Sequence, residues 1–136
     1  MLICFFVDLF FEGEIMGYIY SFENLDVWKI AKDLVIKLYR ITNNFPDCEK
    51  FGIILQIRRA AVSVASNLAE GNSRTTNKDQ AHFTQMAYGS MMEIVCQLII
   101  SKELGYLSKN DYDLPRDKAE EITNKLNTLK KYQLNK

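Results

Sequence analysis

The stretch from residue 56 to residue 74, QIRRAAVSVASNLAEGNSR, constrains this chain most, because its small residues suit a helix that other helices approach closely. Its remaining apolar side chains spread around most of the helix. At helical spacing it carries one polar stripe, formed by Gln56, Arg59, Ser63, Asn67 and Glu70. The pattern predicts a central helix packed on most sides, whose polar stripe meets partners, since a buried charge without a partner is strongly destabilising.

The rest of the chain favours long helices over a β architecture. Its 136 residues include two prolines and six glycines, and about half are apolar, which is enough for one domain with a sizeable core. Periodicity and capping residues predict four helices. Their expected bounds are residues 25–43 with Asn24 as cap, a start near Cys48 or Phe51 through Glu70 with Gly71 as stop, Thr76 or Asn77 to about Leu104, and Ser108 onward.

The short connections between these helices predict an all-α fold, an antiparallel up-down four-helix bundle spanning residues 22–136. Trp28 lies on the apolar face of the first helix and is expected to anchor the core or an interface. Phe83 and Ser90 belong to the inward line of the third helix. Gly89 is expected to let this helix approach the small residues of the second one.

Residues 1–21 are expected to be an N-terminal extension, dispensable to about residue 15 if the natural start is Met16. Their apolar opening lacks a basic leader and a cleavage site, and it is too short to span a bilayer, so neither a signal peptide nor a membrane anchor is expected. The alternative is an apolar arm that docks on a neighbouring subunit. Cys4, Cys48 and Cys96 are odd in number and far apart, which predicts no zinc site and favours the reducing cytoplasm.

Charge is unevenly distributed although the formal net charge is zero. Residues 1–26 hold five acids and no base, whereas residues 27–136 hold 12 acids and 17 bases, a net charge of +5. A charge of this size permits nucleic-acid binding without requiring it.

Catalytic and metal-binding patterns are weak in this sequence. Its only histidine, His82, lies in an exposed-looking context away from Ser63 and Ser66, so a Ser/His/acid triad lacks a base. Glu70, Glu93 and His82 do not reproduce the paired Glu-x-x-His pattern of di-iron bundles. The sequence therefore predicts no enzyme activity, no bound metal and no cofactor.

Several runs of residues resemble the "four helix bundle protein" family, whose genes were first noticed inside intervening sequences of large-subunit ribosomal RNA genes. These runs are SFENLDVWKIAKDL, NFPDCEKFGIILQIRRAAVSVASNLAEGNSR, MAYGSMMEIVCQL and LGYL, within about Phe22 to Tyr132. More distantly, the chain resembles the accessory variability proteins of diversity-generating retroelements. This chain has Ala65 where the family pattern has proline, so the kink of that proline is not carried over.

The resemblance implies a homopentamer with a central channel and a role connected with nucleic acid. The accessory variability proteins bind both nucleic acid and a reverse transcriptase, so a reverse transcriptase or another protein is a further expected partner. The resemblance brings no catalytic motif to this chain.

Two interpretations of the polar stripe remain open. In the structural one, Arg58 and Arg59 meet Glu70 or Glu93 across helices or across subunits, and the smaller polar side chains bond neighbouring backbone. The residues of this expected interhelix network or oligomer interface are Trp28, Gln56, Arg59, Ser63, Asn67, Glu70 and Glu93. In the functional interpretation, the arginines donate hydrogen bonds to phosphates.

The functional interpretation predicts a nucleic-acid interface centred on the turn between the second and third helices. Arg74 precedes the third helix and Lys78 opens it, where backbone amides also point outward. The residues predicted to bind nucleic acid are Arg58, Arg59, Arg74, Lys78, Lys130 and Lys131. In a ring every base is repeated, and affinity grows with the number of phosphates neutralised. The alternative is a protein-interaction scaffold that touches no nucleic acid.

Overall fold

The structure, a computed structural model, describes residues 17–136, so the expectations for residues 1–16 lie outside the described part of the chain. Within it, the predicted all-α four-helix bundle is confirmed. The helices are α1 (Asp26–Thr42), α2 (Ile53–Asn72), α3 (Asn77–Glu103) and α4 (Lys109–Asn135), with 3-10 turns at Ser21–Asn24 and Asp47–Glu49. No helix of residues 17–136 is long and apolar enough to cross a membrane.

The four helices occupy the corners of a square. Both α1 and α3 pack against α2 and α4, while the backbones of the diagonal pairs do not approach each other closely. Side chains from every helix fill the centre, and the fully buried ones include Leu38, Ile57, Met91, Ile94 and Ile122. The small residues predicted to admit close neighbours do so, because Ala60 and Ala61 are buried where α2 meets the rest of the bundle.

Two helix starts follow the predicted capping chemistry. The Thr76 hydroxyl accepts a hydrogen bond from the Asp79 amide at 3.1 Å, and the Ser108 hydroxyl accepts one from the Asp111 amide at 3.2 Å. The prediction that Asn24 caps the first helix is wrong. Asn24 belongs to the preceding 3-10 turn, and that turn runs directly into α1 through Leu25.

The second helix starts later than predicted, because its cap comes from the preceding turn. The Glu49 carboxylate accepts a hydrogen bond from the amide of Ile53 at 3.1 Å. Neither Cys48 nor Phe51 begins the α-helix, which opens at Ile53. A side chain four residues upstream supplies this cap, so helical periodicity alone could not locate the start.

The predicted roles of two glycines, Gly71 as a helix stop and Gly89 as a close-approach point, are both wrong. Gly71 does not stop α2, which continues to Asn72; it is buried, and a Cβ there would lie 2.7 Å from the Cβ of Phe83. Gly89 does not mark a close approach, since a Cβ there would meet nothing within 4 Å. The contact between α2 and α3 at that level is made by Ser63 and Ser90, whose hydroxyls lie 2.9 Å apart.

Candidate nucleic-acid interface

One end of the bundle collects the end of α2, the start of α3 and the end of α4. The Asn77 side chain donates a hydrogen bond to the carbonyl of Lys136 at 2.6 Å, and the Thr84 hydroxyl donates one to the buried Gln133 side chain at 2.6 Å. These bonds fix the last turns of α4 against the first turns of α3. They bring the predicted lysines of the last helix to the same end as the turn at Arg74.

We call this region the basic end and define it by Arg74, Lys78, Lys130, Lys131 and Lys136. Lys78 and Lys131 are exposed and make no ion pair within residues 17–136. Lys130 is half-buried, and its ammonium group donates a hydrogen bond to the Gln85 side chain at 2.8 Å. Four of the six bases predicted to bind nucleic acid therefore lie together.

Arg74 is held in place at this end by two contacts. Its guanidinium group lies 3.1 Å from the Glu70 carboxylate and 4.6 Å from the centre of the Phe83 ring. Both members of the ion pair remain about half exposed, at 42% and 55% of their side-chain surface. Exposed pairs of this kind contribute about 0.3–0.5 kcal/mol. A phosphate can therefore replace Glu70 at small cost while the Phe83 ring still orients the guanidinium.

Acidic side chains at this end reduce the positive charge without cancelling it. Glu23, Glu70 and Asp79 lie at this end together with the five bases, which leaves a net charge of +2 for this set. Asp26, at the start of α1, pairs with Lys125 at 2.8 Å. The hydrogen bond and charge of Lys125 lower the pKa of Asp26, and the same contacts raise the pKa of Lys125. This pair is neutral overall and leaves the basic end positive.

Arg58 lies far from the basic end and is held by three hydrogen bonds within its own chain. Its guanidinium donates hydrogen bonds to the Thr42 hydroxyl at 2.9 Å, the Asn43 side chain at 2.9 Å and the Tyr39 carbonyl at 3.3 Å. It thus ties α2 to the last turn of α1, where helix carbonyls favour a cation. The structure therefore does not bring Arg58 together with the other bases that the sequence predicted to bind nucleic acid.

The end of the bundle that contains Arg58 is closed by further polar contacts, and we call it the closed end. Glu49 caps α2 and also accepts a hydrogen bond from the Tyr106 hydroxyl at 3.2 Å. Partial burial and this bond to a carboxylate raise the pKa of Tyr106. The side chains that define the closed end, Glu49, Arg58 and Tyr106, have partners and are held between helices.

Arg59 and Glu93 flank a polar groove between α2 and α3. Neither forms an ion pair within residues 17–136, and the expected pairing of Glu70 with this arginine is replaced by its bond to Arg74. Arg59 lies 15 residues before Arg74, about 23 Å along the helix axis. A pairing of Arg59 with Glu93 across subunits stays a prediction.

Of the remaining residues of the polar stripe, Gln56 and Ser63 contact α3, while Asn67 bonds within α2. Besides the Ser63 and Ser90 contact, the Asn67 amide donates to the Ser63 carbonyl at 2.9 Å, and Gln97 donates to Gln56 at 3.5 Å. The side-chain oxygen of Gln97 is buried without a hydrogen-bond partner among the described residues. The stripe therefore forms the floor of the polar groove.

Apolar side chains surround this groove and form one outer face, which we define by Leu55, Val62, Met86 and Ile100 together with Arg59 and Glu93. The four apolar members are 41–45% exposed. Trp28 lies elsewhere, half-buried on α1, with its ring 4.9 Å from that of Phe22. The expected core or interface anchor is therefore not part of the outer face.

Residues 17–136 contain no cluster of His, Cys, Asp and Glu that could hold a metal ion. His82 is exposed on α3, beside the ring of Phe83.

Sequence reasoning missed the residues that position the bases. Phe83 was expected to point inward, but it is half-buried beneath Arg74; Gln85 orients Lys130, and Asn77 holds the end of α4. These contacts depend on how α3 and α4 are aligned along their axes. The only sequence signal for these positioning residues was the presence of polar residues one and two turns into α3, and this signal is weak.

The family model of the 23S rRNA-intervening sequence proteins matches residues 23–128 of this chain. A solved structure of a protein of unknown function from the S23 ribosomal protein family of Bacteroides thetaiotaomicron is similar, with a TM-score of 0.70 and 18% sequence identity. The alignment covers 77% of this chain and 98% of that one. At this identity the likeness shows the fold alone. No curated protein matches the chain.

Proposed function

The chain belongs to the family of 23S rRNA-intervening sequence proteins, and from this premise we propose that it is a non-enzymatic homo-oligomer that binds the backbone of RNA or DNA. The observation that carries the proposal is the basic end, where Arg74 and Lys78 lie beside the lysines that end α4. Exposed cations next to a helix N-terminus are suited to phosphate groups.

Backbone contacts account for this surface better than base reading does. The bases are mostly lysines, which act as point charges, and Arg74 is the one bidentate donor of the set. Binding is therefore expected to depend on salt and only weakly on sequence.

Assembly is the second part of the proposal. The outer face combines four exposed apolar side chains with Arg59 and Glu93, which carry opposite charges and have no ion-pair partner within residues 17–136. A second copy presents the same two charges, so Arg59 of one copy can meet Glu93 of the next. A ring, a pentamer by family resemblance, then repeats the basic end in every copy.

Charge exchange tests the assembly. Arg59→Glu alone and Glu93→Arg alone are each expected to lower the molar mass measured by light scattering, because each puts like charges together between copies. The double variant is expected to restore the wild-type mass. If both single variants keep the wild-type mass, this face is not the contact between copies.

Fluorescence anisotropy tests nucleic-acid binding. Labelled single-stranded RNA and duplex DNA are titrated with the purified protein from low to physiological salt, with the molar mass measured in the same buffers. We expect submicromolar affinity whose logarithm falls linearly with the logarithm of the salt concentration, and the slope counts the phosphates contacted. An assembled oligomer that binds neither probe at low salt would rule the proposal out.

The second candidate is a scaffold that binds a partner protein, such as a reverse transcriptase, and no nucleic acid. The outer face favours it, because exposed apolar groups beside a polar groove suit protein contacts. The scaffold function becomes the favoured proposal if the oligomer fails to bind nucleic acid. We propose the cytoplasm for either function, since Cys48 and Cys96 are exposed free thiols that a reducing compartment maintains.

A further inference from the structure

A groove of about 540 Å³ runs between α1 and α4, on the side of the bundle away from the polar groove. Leu34, Ile36 and Ile41 of α1 supply its apolar floor and wall. Ile36 is 44% exposed, although Leu34 and Ile41 beside it are buried. The groove therefore presents apolar surface that the described helices leave partly uncovered.

The groove is also positively charged at its rim. Lys37 and Arg40 of α1 and Lys118 of α4 line it, against one acid, Asp33. Lys118 contacts Glu121 at 3.2 Å, whereas Lys37 and Arg40 form no ion pair within residues 17–136. An occupant with apolar side chains and carboxylates would complement both properties.

We propose that residues 1–16 of this chain bind the groove. Their sequence, MLICFFVDLFFEGEIM, is largely apolar and contains three acids, Asp8, Glu12 and Glu14, and no base. This segment thus has the apolar side chains and the negative charge that would complement the groove. Apolar side chains cover Ile36 and its neighbours, and the carboxylates lie near Lys37 and Arg40.

The segment is long enough to reach the groove. Gly17 precedes the 3-10 turn Ser21–Asn24, which packs against α1 and α2 at the start of α1. From Asp26 to Ile36 the helix rises about 15 Å. Sixteen extended residues span up to about 53 Å. Residues 1–16 can therefore lie along α1 of their own copy or of a neighbouring one.

A second copy's folded surface is a poorer occupant than this segment. The described helices carry mixed charge on their surfaces, and the outer face, which the proposed assembly uses, carries Arg59 as well as Glu93. Residues 1–16 combine a high apolar content with acids alone. The inference concerns a different surface from the basic end, so it stands or falls independently of nucleic-acid binding.

Zero-length carbodiimide cross-linking of the full-length chain tests the proposal, because it joins a lysine amine to a carboxylate only when the two are in contact. We expect Asp8, Glu12 or Glu14 to be joined to Lys37 or Lys118. Mixing isotopically labelled and unlabelled copies separates links within a copy from links between copies. Links from these acids only to lysines outside the groove, or no links at all, would overturn the proposal.

Amide hydrogen exchange gives a second, independent readout on full-length protein. In the wild type, amides of residues 2–15 should exchange about tenfold more slowly than in Ile36→Asp, whose substituted side chain is already exposed and so leaves the fold intact. Leu104→Asp, another exposed apolar position outside the groove, is the matched control and should retain the protection. Equal exchange in all three proteins contradicts the proposal.

Discussion

The two ends of the bundle use basic residues in opposite ways. At the closed end, Arg58 donates hydrogen bonds to the Tyr39 carbonyl and to the side chains of Thr42 and Asn43, all in the same chain. At the basic end, Arg74 and Lys78 lie between the end of α2 and the start of α3, where Glu70 pairs with Arg74 and no carboxylate of residues 17–136 forms an ion pair with Lys78. The comparison shows that the local supply of acceptors, rather than the residue type, decides whether a base is structural or free to bind a ligand.

Reversing charge at the basic end should have the largest effect. Arg74→Glu with Lys78→Glu is expected to weaken nucleic-acid binding about 100-fold, roughly 3 kcal/mol, because two cations per copy become anions. Anisotropy at low salt measures the change. Lys50→Glu with Lys109→Glu alters net charge equally at the opposite end and should change affinity far less. Equal losses in both variants would remove the distinction between the ends.

Removing Arg58 should instead reduce stability. Arg58→Met keeps much of the aliphatic stem but deletes the hydrogen bonds to Thr42 and Asn43, and we expect the free energy of unfolding to fall by about 2 kcal/mol. Arg74→Met should change it by less than about 0.5 kcal/mol, since its ion pair is exposed. Denaturant unfolding measures both. A larger loss for Arg74→Met would reverse the comparison.

Adding a methyl group at Gly71 tests how tightly the basic end is packed. In Gly71→Ala the new Cβ clashes with Phe83, which also supports Arg74, so the free energy of unfolding should drop by about 1–2 kcal/mol. Gly17→Ala makes the same chemical change where nothing lies within 4 Å, and it should have little effect. Thermal unfolding of both variants provides the measurement. Unchanged stability in Gly71→Ala would mean that α2 and α3 separate easily here.

Breaking the ion pair of Asp26 and Lys125 should have the smallest effect on stability. Because its folded-state pKa is lowered, Asp26 stabilises the fold at pH values above its ordinary pKa of 3.8, and this contribution disappears as pH falls through the folded-state pKa. Lys125 has a raised pKa, so its contribution is present below its ordinary value of 10.5 and is lost at higher pH. Asp26→Asn should slightly flatten the acid limb of a profile of unfolding free energy against pH, and an acid limb identical to that of the wild type would contradict this role of the pair.

The sequence predicted the number, order and packing of the helices, because periodicity and capping are local properties. Thr76 and Ser108 are examples, since each cap lies three residues from its donor. The prediction that Gly71 stops the second helix was wrong, because the close contact that explains this glycine comes from Phe83 on another helix.

The candidate site was only partly predictable for the same reason. The sequence could place Arg74 and Lys78 close together because both lie at the predicted turn between the second and third helices. Placing Arg58 required the acceptors at the end of α1, and joining Lys130 to the site required the alignment of α4 against Gln85 of α3. Spacing along one helix contains neither piece of information.

Lysine footprinting tests the central claim most directly, because it reports on individual side chains with and without nucleic acid. Brief reductive methylation followed by mass spectrometry should show Lys78, Lys131 and Lys136 protected by single-stranded RNA or duplex DNA, while Lys50 and Lys109 at the opposite end react as before. Protection of Lys50 and Lys109 with continued reaction at Lys78 and Lys131 would contradict the account.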